Sequence, residues 1–270
     1  MTTIVAPATS ANLGPGFDAL GLALGRHLRL TLEPEGAAAE ATHPATKAFR
    51  AAGGDGPIGV ATDFPPGRGM GYSGAARVAG VVAAAVQRGD DWANDRRALC
   101  DLAADLEGHA DNAAASMYGG CVVAAGDQVV RVPIGFDAEV VLWIPDRETS
   151  TRASRGTLPA TVPFADAVFN LGRAALLVAA VTTGDTAALS AATEDRLHQD
   201  QRLAAVPESA VALAAARRAG AYGAWLSGSG PTVAALCSRG DHARAVADAL
   251  PTAGARVEVV PIDLAGARVE

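Results

Sequence analysis

The stretch Pro65-Pro66-Gly67-Arg68-Gly69-Met70-Gly71-Tyr72-Ser73-Gly74-Ala75-Ala76 constrains this chain most, because it runs directly into the apolar, Ala-rich segment 77–86. Glycines at alternate positions let a backbone turn tightly and approach a ligand. The helix expected to follow begins with unpaired N–H groups and the positive end of its dipole. Together these features predict an anion site, with phosphate the natural occupant. Tight turns and close helix–strand packing also use glycine, so the run alone does not decide the matter. Lys47 is the only lysine, so there is no G-x-x-x-x-G-K-S/T and the P-loop nucleotide folds are excluded. Arg68 lies inside the loop, where it can supply the charge that a lysine supplies elsewhere.

A chain of 270 residues, half of them apolar, buries a core without staples. Its net charge of −7 argues against nucleic acid or an anionic membrane surface as partner and favours a small-molecule site. Cys100, Cys121 and Cys237 sit far apart in apolar contexts and read as buried free thiols in a reducing compartment. No apolar run approaches the ~18 residues needed to cross a bilayer, and the first residues lack a basic region; a soluble, cytoplasmic protein is expected.

In chain order, 4–6 reads as a strand and 7–18 as a loop dense in turn residues. Strands follow at 28–32 and 58–62, with a short helix at 45–52 between them, then the glycine loop and its helix. A helix at 93–107 ends in the polar segment Glu107-Gly108-His109-Ala110-Asp111-Asn112. A hairpin over 121–125 and 129–132 precedes an apolar strand at 139–144, taken as the lobe boundary. Helices are predicted at 149–155, 164–181, 186–202 and 208–218. Strands at 223–226 and 233–237, a helix at 242–250 and a terminal strand at 257–262 complete the chain. This order predicts an α+β fold of two lobes, 1–144 and 145–270.

Several dispersed segments resemble one family. Ala6-Pro7-Ala8-Thr9-Ser10-Ala11-Asn12-Leu13-Gly14-Pro15-Gly16-Phe17-Asp18, the glycine loop, and Leu226-Ser227-Gly228-Ser229-Gly230-Pro231-Thr232 resemble the three motifs of the GHMP small-molecule kinases. The segments 107–112 (E-G-H-A-D-N), Ser150-Thr151 to Arg155, 166–171 and Asp195-Arg196-Leu197-His198-Gln199 ahead of Arg202 resemble the branch that acts on L-homoserine. The glycine loop departs from the family's usual P-x3-G-L-G-S-S-A-A at Tyr72 and Gly74, and Ala110 stands in place of a proline. The resemblance spans the chain and implies a ribosomal S5 domain 2-like first lobe with a ferredoxin-like second lobe.

The resemblance implies ATP-dependent phosphorylation of the side-chain hydroxyl of L-homoserine, a step of threonine biosynthesis, with ATP and Mg²⁺ required. By matching position, Pro66, Gly67, Arg68, Gly69, Met70, Gly71, Tyr72, Ser73, Gly74 and Ala75 wrap ATP. Ser73 and Glu107 hold Mg²⁺ and, with Asn112 and Arg202, are the catalytic positions. Asn12, Asp18, His109, Asn112, Thr151, Arg155 and Arg202 surround the amino acid, the two arginines as a fork for its carboxylate. Asp111 reads as a structural neighbour rather than a base. Plainer readings stay open at single positions: Ser73 as a helix N-cap, Glu107 as a helix-end carboxylate, either arginine as a surface cation, Asn12 as a turn former. Another small hydroxy acid as acceptor, or a silent ligand binder of the same fold, are the alternatives. A homodimer is one option for assembly.

Overall fold

The computed structural model describes residues 2–270. β1 (Thr3–Ala11) and β2 (Leu20–Leu32) pair antiparallel, from Thr3 opposite Thr31 to Ala11 opposite Gly21. β1 therefore continues through the Pro7–Ala11 segment expected as loop. Pro7 is tolerated because the register shifts between Pro7 and Ala8, and because only residues 4 and 5 have a strand on the other side. The free edge at Thr9 is used elsewhere, as shown below.

α1 (Pro44–Ala51), β3 (Ile58–Thr62) and α2 (Tyr72–Arg88) follow, then α3 (Arg96–Glu107) and α4 (Asp111–Tyr118). β4 (Cys121–Ala125) and β5 (Gln128–Val132) form the expected hairpin. The first sheet runs β5-β4-β2-β1 and ends on β10 (Arg268–Val269), with β3 paired to β2. α2 is apolar nearly all round and is buried nearly all round, against α1, α3, α4 and the first sheet.

The second sheet is built from β6 (Ala138–Pro145), β7 (Gly223–Leu226), β8 (Val233–Ser238) and β9 (Ala255–Pro261), in the order β7-β8-β6-β9, all antiparallel. With helices α5 (Thr151–Gly156), α6 (Phe164–Thr183), α7 (Leu189–Ala192), α8 (Gln199–Ala205) and α9 (Pro207–Arg218) between β6 and β7, and α10 (Asp241–Asp248) before β9, this is the ferredoxin-like order. The 144/145 position expected as the lobe boundary lies at the end of β6. The 138–145 strand lies inside the second sheet, because its apolar residues are covered there by β8 and β9, and the chain end returns as β10 to the first.

Two further expectations change. The single helix predicted over 186–202 is broken into α7 and α8, because the Asp195 carboxylate accepts from the backbone N–H of His198 (2.8 Å) and Gln199 (2.7 Å) and competes with helix continuation. α6 is long and apolar enough, by length and composition, to cross a membrane, with a mean hydropathy of 1.6 over its best window. The expectation that no run approaches that length fails here. α6 nonetheless packs one side on the protein, where buried Asn170 donates to Pro15 O (3.2 Å) and Asp195 (2.7 Å).

Candidate active site

The glycine loop enters a cleft of ≈ 190 Å³ where the two lobes meet. Its carbonyls are tied off from behind. Thr149 N donates to Gly67 O (2.9 Å), Thr232 N to Arg68 O (3.3 Å), Ser227 Oγ to Gly69 O (2.6 Å) and Thr9 N to Met70 O (3.0 Å). These donors come from both lobes, and Thr9 supplies the free edge of β1. Among the described residues no protein acceptor engages the N–H groups of Gly69 to Gly74. A run of free donors at the start of a 17-residue helix is an anion nest. Gly71 has φ +64°, and a Cβ there would lie 1.8 Å from Thr9 Oγ1, so only glycine fits. At Gly74 a Cβ would lie 2.8 Å from that of Asn112, so this departure from the family pattern lets α2 and α4 touch.

Two loop side chains turn away from the nest. The Arg68 guanidinium donates to Pro145 O (2.9 Å), Asp146 O (2.6 Å), Pro66 O (3.1 Å) and the Glu148 carboxylate (2.9 Å). It staples the loop to the second lobe, and neither Arg68 nor Pro66 lines the cleft. Tyr72 meets Phe64 edge-on at 5.9 Å, and its hydroxyl lies 2.9 Å from His43 Nε2. His43 Nδ1 accepts from Ala45 N, so Nε2 carries the proton and donates to Tyr72, and burial holds His43 below its ordinary pKa. Nothing in the sequence patterns pointed to His43.

Ser73 Oγ donates to Glu107, and the other Glu107 oxygen takes an ion pair from Arg77. Burial pulls the Arg77 guanidinium below its ordinary value. Arg77 was missed by pattern reading; its single anomaly is a cation in the first half of a helix, where the dipole disfavours it. The polar segment at 107–112, expected as one helix end, is the junction of α3 and α4, with Gly108 at φ +91° ending the first. Asp111 Oδ1 there accepts from His109 Nδ1 (2.6 Å), Asn112 N (2.7 Å) and Asn112 Nδ2 (3.2 Å). Asn112 Oδ1 accepts from Thr9 Oγ1 (2.6 Å), so Asn112 is held from both sides.

The facing wall belongs to the loop after β1 and to α5 and α8. Asn12 (φ +70°), Leu13 (+49°) and Asp18 (+57°) all adopt left-handed backbone, a strained arrangement for non-glycine residues. Asn12 fixes it by accepting from Asp18 N (3.1 Å) and donating to Gly228 O (3.1 Å). Arg155 pairs with Asp18 at 2.5 Å. Arg202 donates from Nη1 to Gly228 O (2.9 Å) and to His198 Nδ1 (3.2 Å), while its buried Nε has no partner among the described residues. Burial first, and the nearby Arg155 charge second, lower the Arg202 pKa. Phe17 carries Arg155 at 5.4 Å and Arg202 at 5.2 Å from its ring centre, so one ring aligns both guanidinium groups. His198 Nε2 donates to Gly14 O (2.8 Å), and burial keeps His198 below its ordinary pKa, hence neutral. Thr151 Oγ1 lies 3.3 Å from Ser229 Oγ at the cleft's rim.

Asn12, Asp18, Ser73, Glu107, His109, Asn112, Thr151, Arg155 and Arg202 thus line one cleft with the glycine loop. Ligand atoms of Asp18, His109 and Asp111 also come within 4.8 Å of one another, giving the floor a negative character. The three thiols are buried, free and pushed up to about 12 by burial, and take no part.

An anion nest set against a paired guanidinium–carboxylate wall defines a small-molecule phosphotransferase. The comparisons agree. The GHMP kinases N terminal domain matches residues 20–120 and the GHMP kinases C terminal domain residues 177–256. The homoserine kinase of Streptomyces avermitilis is 42% identical over 85% of this chain and 83% of its own length. That of Moorella thermoacetica is 41% identical over 88% of each. The crystal structure of homoserine kinase from Cytophaga hutchinsonii superposes with a TM-score of 0.87 at 26% identity, covering 100% of this chain and 97% of that one. The fold alone is shared with the L. major mevalonate kinase, TM-score 0.69 at 17% identity over 96% of this chain and 94% of that one. The chain belongs to the GHMP kinase family, in its homoserine kinase branch.

Proposed function

We propose that this chain transfers the γ-phosphoryl group of ATP to the side-chain hydroxyl of L-homoserine, giving O-phospho-L-homoserine for threonine biosynthesis in the cytoplasm. The observation that carries the reading is one cleft with an N–H nest on one wall and an Asp–Arg–Arg clamp on the other. Lobe division falls before residue 138, the first lobe supplying the nest and both lobes the clamp.

The amides of Gly69 to Gly74 and the α2 dipole bind the phosphates, and their donors are in place before ATP arrives. Ser73 Oγ and Glu107 in direct contact form a hard-oxygen pair that fits Mg²⁺, with Arg77 neutralising the outer carboxylate oxygen. Held there, Mg²⁺ would neutralise charge on the triphosphate. Arg202 and Arg155 take the amino-acid carboxylate, and Asp18 with Asn12 takes the ammonium. A zwitterion suits this wall because it can replace the internal Arg155–Asp18 pair with two pairs of the same signs. His109, Thr151 and Asn112 orient the remainder, so that the hydroxyl oxygen attacks the γ-phosphorus in line as the bond to the β-phosphate oxygen breaks, ADP leaves and the hydroxyl proton passes to an oxygen of the transferred phosphoryl group. Asp111 is not assigned as base, since its Oδ1 is already occupied by N–H donors. The test is ³¹P NMR of the reaction with ATP, Mg²⁺ and L-homoserine. A phosphomonoester on the side-chain oxygen, formed one-to-one with ADP, is expected; ADP formed without it would overturn the assignment.

A further inference from the structure

His43 and Tyr72 form a pair that the phosphate nest does not use. His43 is the N-cap of α1, with extended backbone (φ −61°, ψ 137°), and its Nδ1 accepts from Ala45 N at 3.1 Å. A ring nitrogen that accepts from a backbone N–H carries no proton, so in the neutral ring the proton sits on Nε2. Nε2 lies 2.9 Å from the Tyr72 hydroxyl and donates to it. The phenol oxygen is therefore the acceptor in this contact, and its own O–H has no acceptor among the described residues. Burial raises the Tyr72 pKa, so that proton stays on the oxygen.

This spare donor belongs to a residue of the cleft wall. Tyr72 lines the cleft between Gly71 and Ser73. Its ring is braced edge-on by His43 (5.9 Å, 78° between planes) and by the buried Phe64 (5.9 Å, 65°). No residue of the Asp18–Arg155–Arg202 clamp hydrogen-bonds to or stacks on these three rings. A nucleotide whose γ-phosphate points to the clamp runs its nucleoside away from the clamp, toward this aromatic corner. The backbone N–H groups of the nest serve the phosphates, whereas a phenol O–H held by two rings is a preorganised donor for a nucleoside oxygen or nitrogen. Docking of α1 on α2 does not need the pair. The two helices already meet at Gly80, where a Cβ would lie 2.4 Å from Ala45 O.

We propose that the Tyr72 hydroxyl donates to the nucleoside of ATP and that His43 is the positioning residue that sets its direction. This role rests on the ATP-dependent reading above. Titration calorimetry of the intact chain, with Mg²⁺ present, measures ATP and, separately, inorganic tripolyphosphate, which carries the phosphates without a nucleoside. Tyr72→Phe keeps the ring and should weaken ATP about 3- to 10-fold, the worth of one hydrogen bond, while tripolyphosphate stays within about twofold. His43→Asn keeps a side-chain acceptor for Ala45 N but is too short to reach Tyr72, so Tm should hold while ATP weakens by a smaller factor. The double variant should bind ATP as Tyr72→Phe alone does, because His43 acts only through the hydroxyl. In steady-state assays the change should fall on KM for ATP and not on KM for homoserine. Unchanged ATP affinity in Tyr72→Phe, equal weakening of tripolyphosphate, or additive losses in the double variant would overturn the proposal, while ATP binding by wild type leaves the kinase reading standing. Wild type that binds neither ATP nor tripolyphosphate would overturn both.

Discussion

Arg202→Ala separates the two halves of the cleft. Arg202 is 4% exposed and touches Gly228 O, His198 Nδ1 and Phe17, but no residue of the glycine loop. A charged hydrogen bond to a substrate carboxylate contributes about 1.5–3 kcal/mol, so losing one should lower kcat/KM for homoserine roughly 10- to 150-fold. ATP should keep its KM within about twofold. Loss of the donor to Gly228 O and His198 costs about 1–3 kcal/mol of stability, read separately as a fall in Tm. A coupled ADP assay, varying each substrate in turn, gives the two KM values. 3-Amino-1-propanol, which is homoserine without its carboxylate, completes a cycle between enzyme and substrate. Wild type should prefer homoserine by the full factor, and the variant should lose most of that preference. Equal rises in both KM values, or an unchanged preference, would refute the carboxylate role.

Other outcomes follow from the same geometry. Glu107→Gln should cut kcat about 100-fold or more and raise the Mg²⁺ concentration needed for half-activation, with only a modest fall in Tm; wild-type turnover would remove Glu107 as a metal ligand. Gly71→Ala drives a Cβ toward Thr9 Oγ1, which stands 1.8 Å from the ideal position, so calorimetry should show ATP affinity lost in a chain that still folds. His198 is buried with its pKa lowered from 6.5, so below that pH the unfolded chain binds the extra proton and the folded chain resists it. Stability is therefore full above the ordinary His pKa and falls as pH drops through it, by at most about 1.4 kcal/mol per pH unit for this group. His198→Gln, which keeps a donor for Gly14 O, should flatten that slope in a Tm series; His43 adds a smaller dependence of the same sign.

Local signals made much of the molecule legible. The apolar run at 77–86 and the glycines before it specify α2 and its nest, and alternation with turn residues specifies β3, the β4–β5 hairpin and β7 to β9. Contacts between distant segments were illegible. Pro7 reads as a strand breaker until the empty side of β1 is known. Arg68 looks like phosphate charge until the 145–148 segment of the second lobe takes its guanidinium. Apolarity marks β6 as a strand without saying which sheet receives it. Tyr72 and His43, 29 positions apart, and Arg77 with Glu107, 30 apart, meet only through packing of α1 and α3 on α2. The amino-acid wall was visible through family resemblance, whereas its alignment by Phe17 and the neutral His198 was not.

The central claim is tested most directly by kcat/KM for a panel of acceptors, L-homoserine, pantoate, shikimate and mevalonate, each with ATP and Mg²⁺. The clamp of Asp18, Arg155 and Arg202 predicts that homoserine, the one zwitterion of the set, exceeds each of the others by at least about 100-fold. Homoserine turning over no faster than the rest, or no acceptor turning over at all, would contradict it.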